Sequence, residues 1–226
     1  MKITLTLVAC MPLTVYAIIN GGFATNPFLK GVVKVNDDCT GALIGNKCVL
    51  TAHHCLRKGR LGEVTFAEFK NYIVVESPKK SSIVSTYEPE YSPNRCYDMQ
   101  IAVLSDSHNM GYNLSRTSIN NGNVGVAGWG FTNDYVIPKQ LRFIQYVAKA
   151  RHDRKGIFVH VPDGVSGIAF RDSGAPLFAC NGAKCTIVAV ANGKTEDSTL
   201  LNTHHRYCDV RANWDWITAT MKAHCN

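Results

Sequence analysis

Apolar residues in this chain come in short runs alternating with small or polar ones, the two-residue period of half-buried strands. The clearest are Gly31-Val-Val-Lys-Val35, Val49-Leu-Thr51, Tyr72-Ile-Val-Val75, Ile101-Ala-Val-Leu104, Val124-Gly-Val-Ala127 and Ile187-Val-Ala-Val190. Clusters of Gly, Asn, Asp, Ser and Pro separate them, so the chain reads as many short strands joined by turns. A helical period emerges only near the end. There, residues 212–221 set Trp216, Ile217 and Met221 on one face, which predicts a terminal helix. Residues 105–122, rich in Ser, Asn and Gly, predict the linker between two halves, and no fixed-period repeat interrupts the pattern. Pattern alone predicts an all-β protein with one C-terminal helix.

The one long apolar run stands at the start. Met1-Lys2 is positive, residues 3–16 are largely apolar, and Val15-Tyr16-Ala17 puts a small residue where signal peptidase cuts. Residues 1–17 therefore read as a signal peptide. Leu7-Val8-Ala9-Cys10 looks superficially like a lipoprotein box, but the apolar stretch before it is shorter than the usual ~7–15 residues. No later run is long enough to cross a bilayer as a helix. With 226 residues and 46% of them hydrophobic, the chain has material for a substantial core, which excludes a mainly disordered protein. The formal charge of +7 is scattered over residues 57–60, 79–80 and 151–155 with no interleaved aromatics, so no nucleic-acid partner is expected. Of nine cysteines, Cys10 leaves with the signal; the remaining even number in an exported chain predicts disulfides. No Cys-x-x-Cys or His-x-x-x-His pair suggests a metal, and none is expected. The reading is a secreted, extracellular protein without membrane attachment or cofactor.

Three segments carry candidate chemistry. Thr51-Ala52-His53-His54-Cys55 follows a predicted strand, Asp98 opens the strand ending at Leu104, and Arg171-Asp172-Ser173-Gly174-Ala175-Pro176 is a turn of mostly small residues. A base, an orienting carboxylate and a hydroxyl on a tight turn are the parts of a nucleophilic hydrolase. These segments resemble those of the chymotrypsin/trypsin family of serine endopeptidases. Ile18-Ile-Asn-Gly-Gly-Phe-Ala24 is similar to the family's mature start, Cys39-Thr-Gly-Ala-Leu-Ile44 to its Cys-Gly-Gly-Ser-Leu-Ile, and residues 51–55 to its Thr-Ala-Ala-His-Cys. Ala127-Gly-Trp-Gly-Phe-Thr132 and residues 171–176 resemble two further motifs in family order. The chain order His, Asp, Ser is also the family's.

The resemblance implies two packed six-stranded antiparallel β-barrels with a C-terminal α-helix. The first barrel would span 18–110 with His54 and Asp98, the second 111–208 with Ser173, and residues 209–226 would carry the helix packing on the first barrel. His54, next to the disulfide cysteine, would be the general base, Asp98 its orienter and Ser173 the nucleophile. Gln100 is a rival to Asp98 in an alternative register, but an amide cannot stabilise an imidazolium as a carboxylate does. His53 reads as a loop histidine outside the chemistry. The oxyanion hole would come from the backbone N–H groups of Arg171 and Ser173. The family prefers Gly where Arg171 stands, so its long side chain would occupy the leaving-group side of the cleft and narrow tolerance for bulky substrates or protein inhibitors. A freed Ile18 ammonium would pair with Asp172, and cleavage after Ala17 would itself expose Ile18 without a propeptide.

The implied substrate pocket is formed by Gly167, Ile168, Phe170, Ala191, Asn192, Gly193 and His205. Gly167 replaces the Asp of trypsins, so cleavage after Lys or Arg is not expected. His205 leaves two alternatives, an acidic residue before the scissile bond or, if the imidazole closes the pocket, a small one. Cys39–Cys55 is the family's bridge beside the catalytic His, and closing sixteen residues stabilises by ~3 kcal/mol in the chain-entropy model. Cys180 and Cys185 flank Asn181-Gly182 and read as a hairpin clasp. Cys48, Cys96, Cys208 and Cys225 allow three pairings; position in the family fold implies Cys48–Cys225 and Cys96–Cys208. Asn113-Leu114-Ser115 is a glycosylation sequon, meaningful in a eukaryotic secretory route. The expected activity is that of a monomeric serine endopeptidase acting on polypeptides. The alternative is a silent homologue that binds a target protein through the same cleft.

Overall fold

A computed structural model of the chain describes residues 18, 20–56, 61–93, 95–119, 121–131, 137–153, 156–160, 167–181, 184–194 and 204–226. The expected signal peptide lies outside the described residues, apart from its boundary at Ile18. A two-residue strand β1 (Gly22–Phe23) precedes β2 (Val32–Val35), β3 (Cys39–Ile44), β4 (Cys48–Thr51), β5 (Glu63–Lys70), β6 (Ile73–Tyr87) and β7 (Gln100–Leu104). Strands β2 to β7 close into an antiparallel barrel in the order β2-β3-β4-β7-β6-β5. After residues 105–119, which hold only an isolated bridge from Leu114 to Ile187, the chain forms β8 (Asn121–Gly128), β9 (Arg142–Asp153) and β10 (Gly156–His160). It then forms β11 (Pro176–Asn181), β12 (Lys184–Lys194) and β13 (His204–Asp209). Strand β8 pairs with both β11 and β9, so these six strands also close on themselves, and β1 adds an edge to β9.

Strands β2, β3, β4 and β7 are buried on both faces, and the two-residue period sorts their side chains. Val33, Leu43, Val49, Ala102 and Leu104 fill the first barrel, together with Phe66 and Ile83. Their neighbours Val32, Ala42, Ile44, Leu50, Ile101 and Val103 point the other way. They join Trp129, Leu141, Phe178 and Ile187 of the second half in one core. A separate cluster, with Val124, Ile157, Leu177, Val188 and Tyr207, fills the second barrel and includes Ile18. The two sheets are thus welded along one face, and segments from both halves meet at its edge.

The helix α1 (Trp214–His224) starts later than the pattern suggested, because residues 211–213 form a tighter 3-10 turn. Asn213 does not cap it; its amide donates to the carbonyls of Cys96 and Asp209 at 3.0 and 3.1 Å. Ile217 is buried, with Trp216 and Met221 packed against the shared core. Four disulfides form: Cys39–Cys55, Cys48–Cys225, Cys96–Cys208 and Cys180–Cys185. Cys48–Cys225 ties the end of α1 to β4, and Cys180–Cys185 joins facing residues of β11 and β12. No described helix is long and apolar enough to cross a membrane.

Candidate active site

His54 sits in a short 3-10 turn directly after β4, and Asp98 sits two residues before β7, the strand paired with β4. That adjacency brings residues forty-four apart in sequence into contact. The His54 backbone N–H donates to Asp98 Oδ1 at 2.9 Å, and its ring Nδ1 lies 2.8 Å from Oδ2. With Nδ1–H donated to the carboxylate, Nε2 is left as the basic nitrogen. Gln100 is buried in β7 opposite Thr51, so the rival register does not reach His54. His53 pairs instead with Glu88, Nδ1 to Oε2 at 2.8 Å.

The turn bearing Ser173 is bound to both halves of the molecule. Thr40 N–H donates to the Ser173 carbonyl at 2.9 Å, and Gly174 N–H donates to the Ala191 carbonyl at 2.8 Å. Gly174 has φ +84°, and a Cβ there would lie 2.1 Å from the Thr40 carbonyl oxygen, so the close approach of the barrels requires glycine. Ser173, His54 and the Cys39–Cys55 bridge line one open cavity of about 800 Å³. Ser173 and His54 thus face the same cavity, with the Asp98 carboxylate behind the imidazole. Neither the Arg171 nor the Ser173 backbone N–H donates to a protein acceptor among the described residues.

Arg171 adopts φ +74°, a left-handed conformation costing an L-residue about 1–3 kcal/mol. Several contacts hold it there. Its guanidinium donates to the Asp37 carbonyl at 2.9 Å, pairs with Asp38 Oδ1 at 3.1 Å and lies 4.5 Å above the Phe131 ring. Thr40 Oγ1 donates to the Arg171 carbonyl at 3.2 Å. The side chain therefore lies along the cavity wall on the first-barrel side, with Phe170 stacked on Phe131 at its rim. None of these partners was legible as a site residue, because Asp37 lies 134 positions from Arg171 and no short motif joins them.

Asp172 is fully buried. Its carboxylate accepts from Gly130 N–H at 2.7 Å and Ala169 N–H at 2.8 Å, and the Ile18 backbone also contributes a hydrogen bond. Burial nevertheless outweighs these donors and pushes its pKa up to about 7. Gly128 and Gly130 make room for it: a Cβ on either would approach carboxylate atoms to 2.0 and 2.5 Å. Ile18 is fully buried against this carboxylate, still in peptide linkage in the intact chain.

Of the expected pocket residues, Ile168, Ala191 and His205 are buried, Asn192 and Gly193 are half-buried, and Phe170 is exposed. His205 lies against Gly167, where a Cβ would come within 2.4 Å of its Cε1. Its Nδ1 accepts from Ile168 N–H at 2.9 Å, which requires that nitrogen to be unprotonated. With this bond made the imidazole is neutral, and it fills the space beside Gly167 where the substrate pocket is expected. A second cavity, of about 530 Å³, opens on the other flank of the dyad and includes Asn192. Among the described residues, Cys39, His54 and Cys55 are grouped like metal ligands, but both sulfurs are spent in a disulfide. Asn113 of the sequon is exposed, while its carbonyl accepts from Ile187 N–H.

Two packed β-barrels, a C-terminal helix and a cleft between them define a chymotrypsin-like fold. The sequence matches the Trypsin family over residues 19–217, and the chain belongs to that family. Solved structures share the fold: a mutant of human heparin binding protein (CAP37) is 22% identical with a TM-score of 0.70, covering 91% of this chain and 97% of that one. The atomic-resolution structure of heparin binding protein is 21% identical with the same TM-score and coverage. The sequence matches no curated protein.

Proposed function

We propose that the chain is a secreted serine endopeptidase that cleaves polypeptides through an acyl-enzyme. Ser173 attacks, His54 takes its proton and later returns it to the leaving amine, and Asp98 holds the imidazole in the required tautomer. The N–H groups of Arg171 and Ser173 bind the oxyanion. The observation that carries this reading is the double hydrogen bond from His54 to Asp98 on the same cleft as Ser173. Signal cleavage after Ala17 frees Ile18, whose ammonium neutralises Asp172 and orders the cleft. The neutral His205 in the pocket floor supports a small residue before the scissile bond rather than an acidic one. Asn113 carries a glycan if the protein passes through a eukaryotic secretory route.

The test is pre-steady-state hydrolysis of an alanyl p-nitrophenyl ester by protein whose sequenced N-terminus is Ile18. A burst of nitrophenolate stoichiometric with protein, lost in Ser173→Ala, supports the acyl-enzyme. A second reading, a silent homologue that binds a protein through the cleft, is favoured by the strained Arg171 and the filled pocket floor. Absence of the burst from correctly processed protein would establish that reading instead.

A further inference from the structure

The cavity beside the dyad differs in character from the cleft that holds Ser173. Two arginines reach its wall from opposite halves of the molecule, Arg95 from the segment before Asp98 and Arg206 from β13. Arg206 points away from the second-barrel core because its neighbours His205 and Tyr207 point into it. Arg95 is braced: one terminal nitrogen donates to the Glu90 carbonyl at 2.9 Å, and its buried Nε has no partner among the described contacts. Among the described residues, the carboxylate on the wall is that of Asp98, which already accepts twice from His54, and the nearby Glu88 is engaged by His53. Among the described residues, the wall thus carries the two arginines and one carboxylate that is already engaged by His54. Tyr91 and Tyr97 also line it, with ring centroids 5.0 Å apart and 73% and 47% exposed.

We propose that this cavity is a subsite for an acidic side chain in the peptide segment preceding the scissile bond. The inference rests on the endopeptidase reading for the direction in which the peptide runs. Asn192, in the segment expected to pair with the substrate backbone, lies on the same wall, so a peptide crossing His54 would deliver a side chain here. A volume of about 530 Å³ admits one or two side chains. A carboxylate would meet the planar, multidentate donors of Arg95 and Arg206 while its methylenes pack on the tyrosines. A sulfated polysaccharide would need a row of cations along an open surface; here two cations line a recess beside the catalytic base.

The experiment measures binding to processed Ser173→Ala protein, which turns nothing over, using paired peptides with Glu or Gln two to four residues before the cleavage position. The Glu peptide is expected to bind about tenfold tighter at low salt, and Arg95→Gln or Arg206→Gln to bring the ratio close to unity. Arg→Lys at either position controls for misfolding and should keep part of the ratio. Equal binding of the two peptides, a ratio indifferent to both arginines, or arginine-dependent binding of a heparin oligosaccharide but not of the Glu peptide would overturn the proposal. Glu selectivity in this protein alongside a wild type that hydrolyses nothing would sink the endopeptidase reading and leave the subsite standing. Turnover of Glu and Gln peptides at equal kcat/KM would do the reverse.

Discussion

A side chain at position 171 holds the backbone at φ +74°, where glycine sits at little cost and an arginine needs its contacts with Asp37, Asp38 and Phe131. Those contacts fix the residue whose N–H would meet the oxyanion in the proposed mechanism, and they hold a braced cation along the cavity wall. Arg171→Gly is therefore expected to leave hydrolysis of a small ester nearly unchanged. It should raise kcat/KM about tenfold for peptides with a bulky residue just after the scissile bond; equal effects on both substrates would refute the role. Asp98→Asn, which removes the carboxylate that selects the His54 tautomer, should lower kcat by about 10⁴ with the fold intact by circular dichroism. His205→Ala empties the pocket floor, and peptide-library profiling should then show a shift from small to larger apolar residues before the cleavage site. A wild-type profile dominated by Asp or Glu at that position would contradict the neutral, filling imidazole. The His54–Asp98 contact and the placing of Ser173 on the same cavity were legible because His54 and Ser173 lie in short motifs and Asp98 stands just before an apolar strand. The braces on Arg171 and the wall formed by Arg95 and Arg206 were not, since these depend on pairs brought together by the fold.

Strands with a clean apolar rhythm, such as β2, β4 and β7, could be read from sequence because both their faces are buried. Strands β6 and β9 were only partly visible or missed. Each is long and carries polar or charged residues turned toward solvent, as at Lys79 and Lys80 in β6 and Lys149 in β9, which blurs the period. Their pairing follows from neighbours in the barrel rather than from local pattern. The Cys48–Cys225 bridge compensates at the element scale: it closes 177 residues and holds α1 on β4. The chain-entropy model assigns about 5 kcal/mol to a closure of this length. The double change Cys48→Ala, Cys225→Ala should lower the melting midpoint by about 10–20 °C. At 20 °C the folded variant should still react at Ser173. An unchanged midpoint would mean that α1 is held by its apolar face alone.

At the scale of the whole molecule, the buried Asp172 carboxylate couples stability to pH. In the intact chain Asp172 has its pKa pushed up to about 7, against 3.8 for an ordinary aspartate. At pH below the lower value the group is protonated both folded and unfolded and has no effect. Between the two values the unfolded chain releases the proton and the folded one keeps it, so stability falls as pH rises; above about 7 a penalty on the order of 4 kcal/mol persists. Under the proposed processing, an ammonium freed at Ile18 would offset it. Asp172→Asn should consequently raise the melting midpoint of the unprocessed chain at pH 8 but not at pH 3.5, and lower that of the processed protein at pH 8. No pH-dependent difference between the two forms would contradict this coupling.

The decisive measurement is the reaction of Ile18-terminated protein with a fluorophosphonate, read by intact mass and peptide mapping. Stoichiometric modification of Ser173, at a rate that rises with deprotonation of His54 and collapses in Asp98→Asn, is the expected result. Correctly processed, folded protein that stays unmodified, or is modified equally fast without Asp98, would contradict the claim that these three residues act as one nucleophilic unit.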